Sequence, residues 1–129
     1  MPEQSDWNIV WIDQGNAGVL GSVAEGVFDE SIKPDRLARY LSNPANLMIV
    51  AVNNGLVIGQ CMCVIHDHPD KPTELYLDEI GTGDEWRRMG VANSLMQAVF
   101  AKADELEIDE IWLGTEPDNV AARGLYEKT

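Results

Sequence analysis

Long apolar runs are absent from this chain of 129 residues. No apolar stretch approaches the roughly 20 residues that a bilayer-spanning helix requires. The start of the chain is polar and acidic, unlike the basic start of a signal peptide. We therefore expect a cytoplasmic protein with no membrane partner. The length also leaves no room for a second core of normal size, so residues 1–129 are expected to form a single domain.

Basic residues are scarce as well. Lysine and arginine number 9 against 22 aspartates and glutamates, which gives a formal net charge of −13. A field of that sign repels nucleic acid and anionic membranes, and it attracts a polycationic substrate. Solubility or adaptation to salt would explain the same charge equally well, so the charge alone selects no function.

Cysteine and histidine contribute only two residues each. Cys61 and Cys63 are one residue apart, and a disulfide between them would close a strained loop, so two buried thiols are expected. His66 and His68 flank Asp67 in a predicted loop. The sequence shows no third or fourth ligand with them, which favours a solvated loop over a metal site.

The chain nevertheless contains clear periodic segments. Alternating and apolar patterns predict strands, and helical spacing predicts helices, with Asn53-Asn54-Gly55 as a hairpin turn. Three central strands should form an antiparallel meander, and the strand–helix–strand unit after them implies parallel pairing on that side. The expected fold is therefore mixed α/β (α+β). The predicted strands are 8–13, 47–52, 56–65, 74–80 and 108–115, and the predicted helices are 17–28, one beginning at 34, 88–107 and 119–128.

The most informative segment lies between a strand and the longest predicted helix. It reads Arg87-Arg88-Met89-Gly90-Val91-Ala92. The first N–H groups of a helix lack intrahelical partners, so a diphosphate can accept their hydrogen bonds. Gly90 allows close approach of the backbone, and the two arginines supply cations where an anion needs them.

This segment resembles the acetyl-CoA signature of the GNAT superfamily of N-acetyltransferases, (Gln/Arg)-x-x-Gly-x-(Gly/Ala). A second resemblance lies downstream, where Asn119-Val120-Ala121-Ala122 and Leu125-Tyr126-Glu127-Lys128 match the family pattern. The strong match covers residues 75–128, and the first half fits only in element order. Residues 74–80 running into 85–88 are also similar to the aminoglycoside 3-N-acetyltransferase group.

The resemblance implies a mostly antiparallel sheet flanked by helices, with a βαβ unit that binds acetyl-CoA as co-substrate. It implies direct transfer of acetyl to an amine in a ternary complex. Backbone groups of Ile80 and Thr82 would bond the pantetheine arm, Asn119 could do so or cap the last helix, and Tyr126 would protonate the departing thiolate. Family chains usually continue into two further strands, whereas this sequence ends at Thr129, so those strands are expected to be missing. The resembling enzymes are often homodimers.

A carboxylate near the acceptor must take the proton of the attacking amine. Glu79 holds the position at which the resembling group has its acid, and it is the first choice. Asp78 should face the other side of the strand, but a bulge could exchange the two.

Three functions remain open at this stage. The first is an N-acetyltransferase for a small amine substrate, with aminoglycosides or other polycations as acceptors. The second keeps the chemistry but acetylates a protein, peptide or amino-acid amine. The third is an acyl-CoA-binding module without catalysis. A generic nucleotide-binding protein fits less well, because the sequence lacks a P-loop Gly-Lys-Ser/Thr.

Overall fold

A single five-stranded sheet organises the chain in the computed structural model, which describes residues 6–113. The strands follow one another in chain order across the sheet. The first four pair antiparallel and the last pairs parallel to the fourth, which confirms the predicted mixed, mostly antiparallel sheet. They are β1 (Asn8–Ile12), β2 (Asn46–Asn53), β3 (Leu56–His66), β4 (Glu74–Thr82) and β5 (Glu110–Leu113).

Within the described residues, the sheet is accompanied by two α-helices and two short 3₁₀ helices: Ala17–Gly21 (3₁₀), α1 (Pro34–Ser42), Asp84–Trp86 (3₁₀) and α2 (Val91–Glu105). The predicted helix over 17–28 is wrong beyond its first turn. The chain turns away there because its main chain bonds β3 instead: the Val57 N–H donates to the Ser22 carbonyl at 2.9 Å, and the Ala24 N–H donates to the Val57 carbonyl at 2.8 Å. These bonds hold the segment against the sheet.

The long helix also begins later than predicted. The expected start at Arg88 is wrong, because Arg88 has φ +66° and Gly90 has φ +95°, and neither angle is compatible with a right-handed helix. The helix therefore begins at Val91. The predicted strand over 108–115 is observed as β5, and its last two predicted residues lie outside the described residues.

Apolar side chains fill both faces of the sheet. On one face, α2 buries Leu95 and Val99 against Leu75 and Leu77 of β4. On the other face, the segment after β1 and helix α1 cover a second cluster that includes Val50. Full burial of each such side chain contributes about 1.5–3 kcal/mol. Both faces of the sheet are thus covered, so an open site is expected at the ends of its strands.

The two cysteines lie on β3 as free, buried thiols, as predicted. Their sulfur atoms are 4.0 Å apart. The hydrogen bond with Cys63, together with burial, raises the pKa of the Cys61 thiol well above its usual range. Cys61 is therefore protonated at neutral pH.

No helix in the described part of the chain combines the length and the apolar character that a membrane span requires.

Gly81 of β4 touches the segment around Val27, which crosses the end of the sheet between the first 3₁₀ helix and α1. A Cβ atom there would collide with the Val27 carbonyl oxygen and would lie 3.2 Å from Gln60 Nε2. We expect Gly81→Ala to lower the free energy of unfolding by about 1–3 kcal/mol, as overpacking does in other cores. Urea denaturation measures the loss. Gly18→Ala is the matched control, because a Cβ at Gly18 meets nothing within 4 Å. Equal stabilities of the two variants would contradict the contact.

Candidate active site

A bulge in β4 decides which carboxylate faces the site. The register shifts between Met62 and Cys63 of β3, which pair with Glu79 and Leu77, so that Asp78 is the extra residue. Without the bulge, Glu79 would continue the alternation of Leu75 and Leu77 towards α2. The bulge moves Glu79 to the opposite face and leaves Asp78 exposed. It thus separates the environments of the two carboxylates.

A buried glutamine holds Glu79 in place. The Gln60 side chain is fully buried, and its Nε2 donates hydrogen bonds to Glu79 Oε2 at 3.0 Å and to the Val27 carbonyl at 3.2 Å. Within residues 6–113, its Oε1 has no hydrogen-bond partner. One amide group therefore joins Glu79 to the segment that crosses the end of the sheet.

The surroundings of Glu79 weaken its acidity. Burial raises the pKa of its carboxyl group, and the negative charges of Asp29 and Asp78 raise it further, while the hydrogen bond from Gln60 acts in the opposite direction. A carboxylate whose pKa is raised in this way is a stronger base than a solvent-exposed one. Glu79 therefore has the properties of a proton acceptor.

Glu79 lines a cleft of about 500 Å³ at the end of β4, which we call the active-site cleft. The cleft brings together the strand end, the crossing segment and the beginning of α2. Its lining residues are Gly26, Val27, Asp29, Glu79, Ile80, Gly81, Thr82, Arg87 and Ala92. Two other predicted site residues of β4, Ile80 and Thr82, and two residues of the motif, Arg87 and Ala92, therefore share one cleft with the predicted base.

The turn before α2 has an unusual backbone. Arg88 and Gly90 have positive φ, at +66° and +95°, and Met89 between them does not. Such alternation directs successive main-chain N–H groups to one side and forms a concavity suited to anions. A Cβ built on Gly90 meets nothing within 4 Å, so open space faces the turn. The residues present therefore fit a bound diphosphate group.

The two arginines of the turn have different surroundings. Arg87 is paired with Asp84 at 3.1 Å, and both side chains are more than half exposed. Arg88 and Met89 are exposed, and Val91 is buried in the core. Val91 can thus contribute only its main-chain N–H to a ligand, whereas the arginines contribute charge.

The free edge of β4 lies beside the turn. Parallel pairing with β5 covers only Glu74 to Leu77. Among the described residues, no strand pairs with that edge of β4 at Ile80 and Thr82, which pair with β3 on the other side. Main-chain groups on this edge are therefore able to pair with an extended ligand.

A sequence profile of the acetyltransferase (GNAT) family matches residues 18–129. The chain belongs to the GNAT acetyltransferase family. The resemblance found in its two motifs is thereby confirmed at the level of the superfamily, while the 3-N-acetyltransferase subgroup stays a prediction.

Relatives of this GNAT chain support the same assignment. An uncharacterised N-acetyltransferase of Mycobacterium tuberculosis is 30% identical over 101 residues, which are 78% of this chain and 62% of the relative. The N-alpha-acetyltransferase 30 of Saccharomyces cerevisiae is 29% identical over 93 residues, which are 68% of this chain and 53% of the relative. The chain thus spans little more than half the length of these relatives.

Solved structures share the fold. An aminoglycoside acetyltransferase from an uncultured soil metagenomic sample superposes with a TM-score of 0.74 at 14% identity, covering 95% of this chain and 86% of that one. The ribosomal-protein-alanine N-acetyltransferase of Brucella melitensis gives 0.66 at 21% identity, covering 94% and 89%. The aminoglycoside N-acetyltransferase AAC(6')-Iy, with a bisubstrate analogue of CoA, gives 0.69 at 20% identity, covering 94% and 87%.

The second GNAT motif lies outside the described residues. Asn119 and Tyr126 both belong to it, so their predicted roles in binding pantetheine and protonating the thiolate stay predictions. The roles predicted for the first motif, Ile80, Thr82, Glu79 and Asp78 also stay predictions.

Two groups escaped the sequence analysis. Gln60 was missed, although a glutamine inside the apolar run of β3 signals a buried polar group that needs partners. The expectation that no third ligand accompanies His66 and His68 is wrong. Glu74 joins them, because the β3–β4 register places it opposite His66.

Proposed function

We propose that this GNAT chain transfers acetyl from acetyl-CoA to a primary amine of a polycationic small molecule. One observation carries the proposal: Glu79 lines the same cleft as Arg87 and Ala92, the two residues that flank the positive-φ turn at Gly90. A proton acceptor and a diphosphate-binding turn are the two parts that direct transfer requires from the protein.

Different main-chain groups would bind different parts of the coenzyme. Main-chain N–H groups at Gly90, Val91 and Ala92 would bind the pyrophosphate, and the free edge of β4 at Ile80 and Thr82 would pair with the pantetheine arm. The coenzyme supplies an activated thioester carbonyl. A main-chain N–H near Ile80 would donate a hydrogen bond to its oxygen.

Glu79 removes the proton of the acceptor amine, directly or through water, as the carbon–nitrogen bond forms and the carbon–sulfur bond breaks. Tyr126 is proposed to protonate the thiolate, because a phenol and a thiol have similar acidities. Asn119 is proposed to bond the pantetheine arm. These last two roles rest on the resemblance of the second motif.

The charge around the cleft favours a cationic acceptor. Asp29 lines both the active-site cleft and a second cleft of about 490 Å³, which Glu25 and Glu30 also line. All three side chains are exposed. Carboxylates at both openings attract an amine with several positive charges. Aminoglycosides are the leading candidates, because enzymes that act on them share this fold.

A peptide amine is the second candidate acceptor. It gains support from the yeast N-alpha-acetyltransferase, at 29% identity, and from the structural likeness to an enzyme named for acetylating a ribosomal-protein alanine. A free N-terminus carries a cationic amine in its resting state, so the acidic clefts suit it as well.

An acceptor screen tests the proposal. Release of the coenzyme thiol would be followed with aminoglycosides, with linear polyamines and with short peptides that have free N-termini. We expect the highest kcat/KM with an aminoglycoside or a polyamine. Turnover of peptides alone would transfer the assignment to the second candidate. Binding of acetyl-CoA without turnover of any amine would identify a non-catalytic module and overturn the proposed catalysis.

Burial is the main cause of the raised pKa of Glu79, and the charge of Asp29 should add to its effect on the pH dependence of the reaction. The negative charge of Asp29 raises the pKa of Glu79, so Asp29→Asn should lower that pKa. Glu79 must be ionised to accept a proton, so the acidic limb of the kcat/KM profile should move to lower pH. The profile is measured with one amine from about pH 4, near the ordinary pKa of glutamate, to about pH 9. Asp70→Asn, in the β3–β4 loop, is the control of equal charge. An unmoved limb in Asp29→Asn would contradict the electrostatic coupling.

A further inference from the structure

A cluster of two imidazoles and a carboxylate lies at the far end of the β3–β4 hairpin. His66 ends β3 and pairs with Glu74, which begins β4. His68, in the connecting loop, approaches Glu74 with Nε2 at 3.1 Å from Oε1. One ligand atom from each of the three side chains lies within 4.8 Å of the others.

The backbone holds these three groups together. His66 and Glu74 are fixed on adjacent paired strands, so the register alone makes them neighbours. The loop that carries His68 is tied by a hydrogen bond from the Thr73 hydroxyl to Asp67 Oδ1 at 2.8 Å. The imidazole rings of His66 and His68 lie with centroids 4.9 Å apart at 41°. The backbone of the hairpin therefore brings the three side chains together.

The ligand set is one that transition metals prefer. Neutral imidazole nitrogen and carboxylate oxygen bind Zn²⁺ at about 2.0–2.2 Å, and two histidines with one glutamate are a recurrent set of three protein ligands. Small rotations of the partly exposed side chains would bring the ligand atoms from 4.8 Å to the shorter spacing around one ion. Water would complete the coordination.

A second carboxyl group lies near the cluster and also favours a cation there. Glu110 of β5 lies directly opposite Glu74 in the parallel β4–β5 register. Like charges opposite one another on adjacent strands are destabilising. Trp112 Nε1 donates to Glu110 Oε1 at 3.1 Å and orients that carboxylate. His68 is the main electrostatic partner of Glu74, and Lys71 adds one positive charge from the same loop. A bound divalent ion would add positive charge beside these two carboxyl groups.

We propose that His66, His68 and Glu74 bind a divalent transition-metal ion of the zinc class, with Glu110 as an outer partner that orients Glu74. The ion is not placed to take part in acetyl transfer, since Glu74 and Glu79 are five residues apart, about 16 Å along an extended strand. It would instead fasten the β3–β4 hairpin to β5. This proposal stands independently of the proposed function.

Titration of the untagged, metal-free full chain with Zn²⁺ and with Co²⁺ tests the site. We expect one Zn²⁺ per chain by calorimetry, and visible absorption of Co²⁺ typical of nitrogen and oxygen ligands. His68→Gln and Glu74→Gln should each weaken binding at least about 10-fold, as much as loss of an outer-sphere partner commonly does. Asp70→Asn, in the same loop, should bind as the parent does. Bound Zn²⁺ should raise the melting temperature of the parent chain and not of the double variant His66→Gln/His68→Gln.

Two results would overturn the site. One is equal Zn²⁺ affinity in the parent and in the double histidine variant, because the chain has only these two histidines. The other is an intense near-ultraviolet charge-transfer band with Co²⁺, which would assign the ion to the thiols of Cys61 and Cys63. A folded state of each variant is checked by its circular dichroism spectrum and by its unfolding transition.

Discussion

Replacement of Glu79 by glutamine is expected to lower kcat/KM for acetyl transfer by about 10²- to 10⁴-fold, the range that positioned acid–base groups contribute. The amide keeps the shape of the side chain and can still contact Gln60, but it cannot accept the proton of the amine. Affinity for acetyl-CoA should change little, because the turn at Gly90 is untouched. Steady-state kinetics with one amine and calorimetry with the coenzyme separate these two effects.

Asp78→Asn is the matched control for that experiment. It makes the same chemical change one residue away, on the exposed bulge residue. Its rate should stay close to that of the parent chain, with only a small shift in pH dependence because Asp78 weakly raises the pKa of Glu79. A large loss in Asp78→Asn with full activity in Glu79→Gln would reverse the assignment of the base.

Replacement of Gly90 by valine is expected to abolish measurable binding of acetyl-CoA. A β-branched residue strongly disfavours φ +95°, so the turn must rearrange and turn its N–H groups away from the cleft. Hydrogen bonds to charged groups contribute about 1.5–3 kcal/mol each, so losing two would weaken binding by about 10²- to 10⁴-fold. Calorimetry with acetyl-CoA measures the loss.

Gly55→Val provides the control for backbone strain. Gly55 has φ +82° in the β2–β3 turn, and like Gly90 it has open space where a Cβ would lie. Both variants should lose stability through the same strain, whereas only Gly90→Val should lose the coenzyme. Equal coenzyme affinity in the two variants would show that the turn at Gly90 does not bind the pyrophosphate.

The sequence predicted the elements that depend on local pattern. All five strands were expected within a few residues of the bounds described over residues 6–113, because each one alternates or is continuously apolar. The Asn53-Asn54-Gly55 turn was predicted for the same reason, and Asn54 and Gly55 do have positive φ. The family followed from two short motifs whose glycine, alanine and asparagine positions are closely spaced.

Features that depend on tertiary contacts were not predictable in the same way. The segment after Gly21 has helical spacing, but its main chain gains bonds to β3 that a helix would lack. No sequence pattern predicts the bulge at Asp78. The sequence therefore favoured Glu79 over Asp78 as the base, but it could not show that the bulge gives the two carboxylates different surroundings. Glu74 joins the two histidines only once the hairpin register is known.

A crystal structure of the chain with acetyl-CoA would most directly test the central claim, which is that the turn at Gly90 binds the pyrophosphate. We predict pyrophosphate oxygens about 2.7–3.2 Å from the main-chain nitrogens of Gly90, Val91 and Ala92. The thioester should then point along the free edge of β4 towards Glu79. A coenzyme lodged elsewhere on the chain, with the turn at Gly90 making no contact to it, would contradict the account.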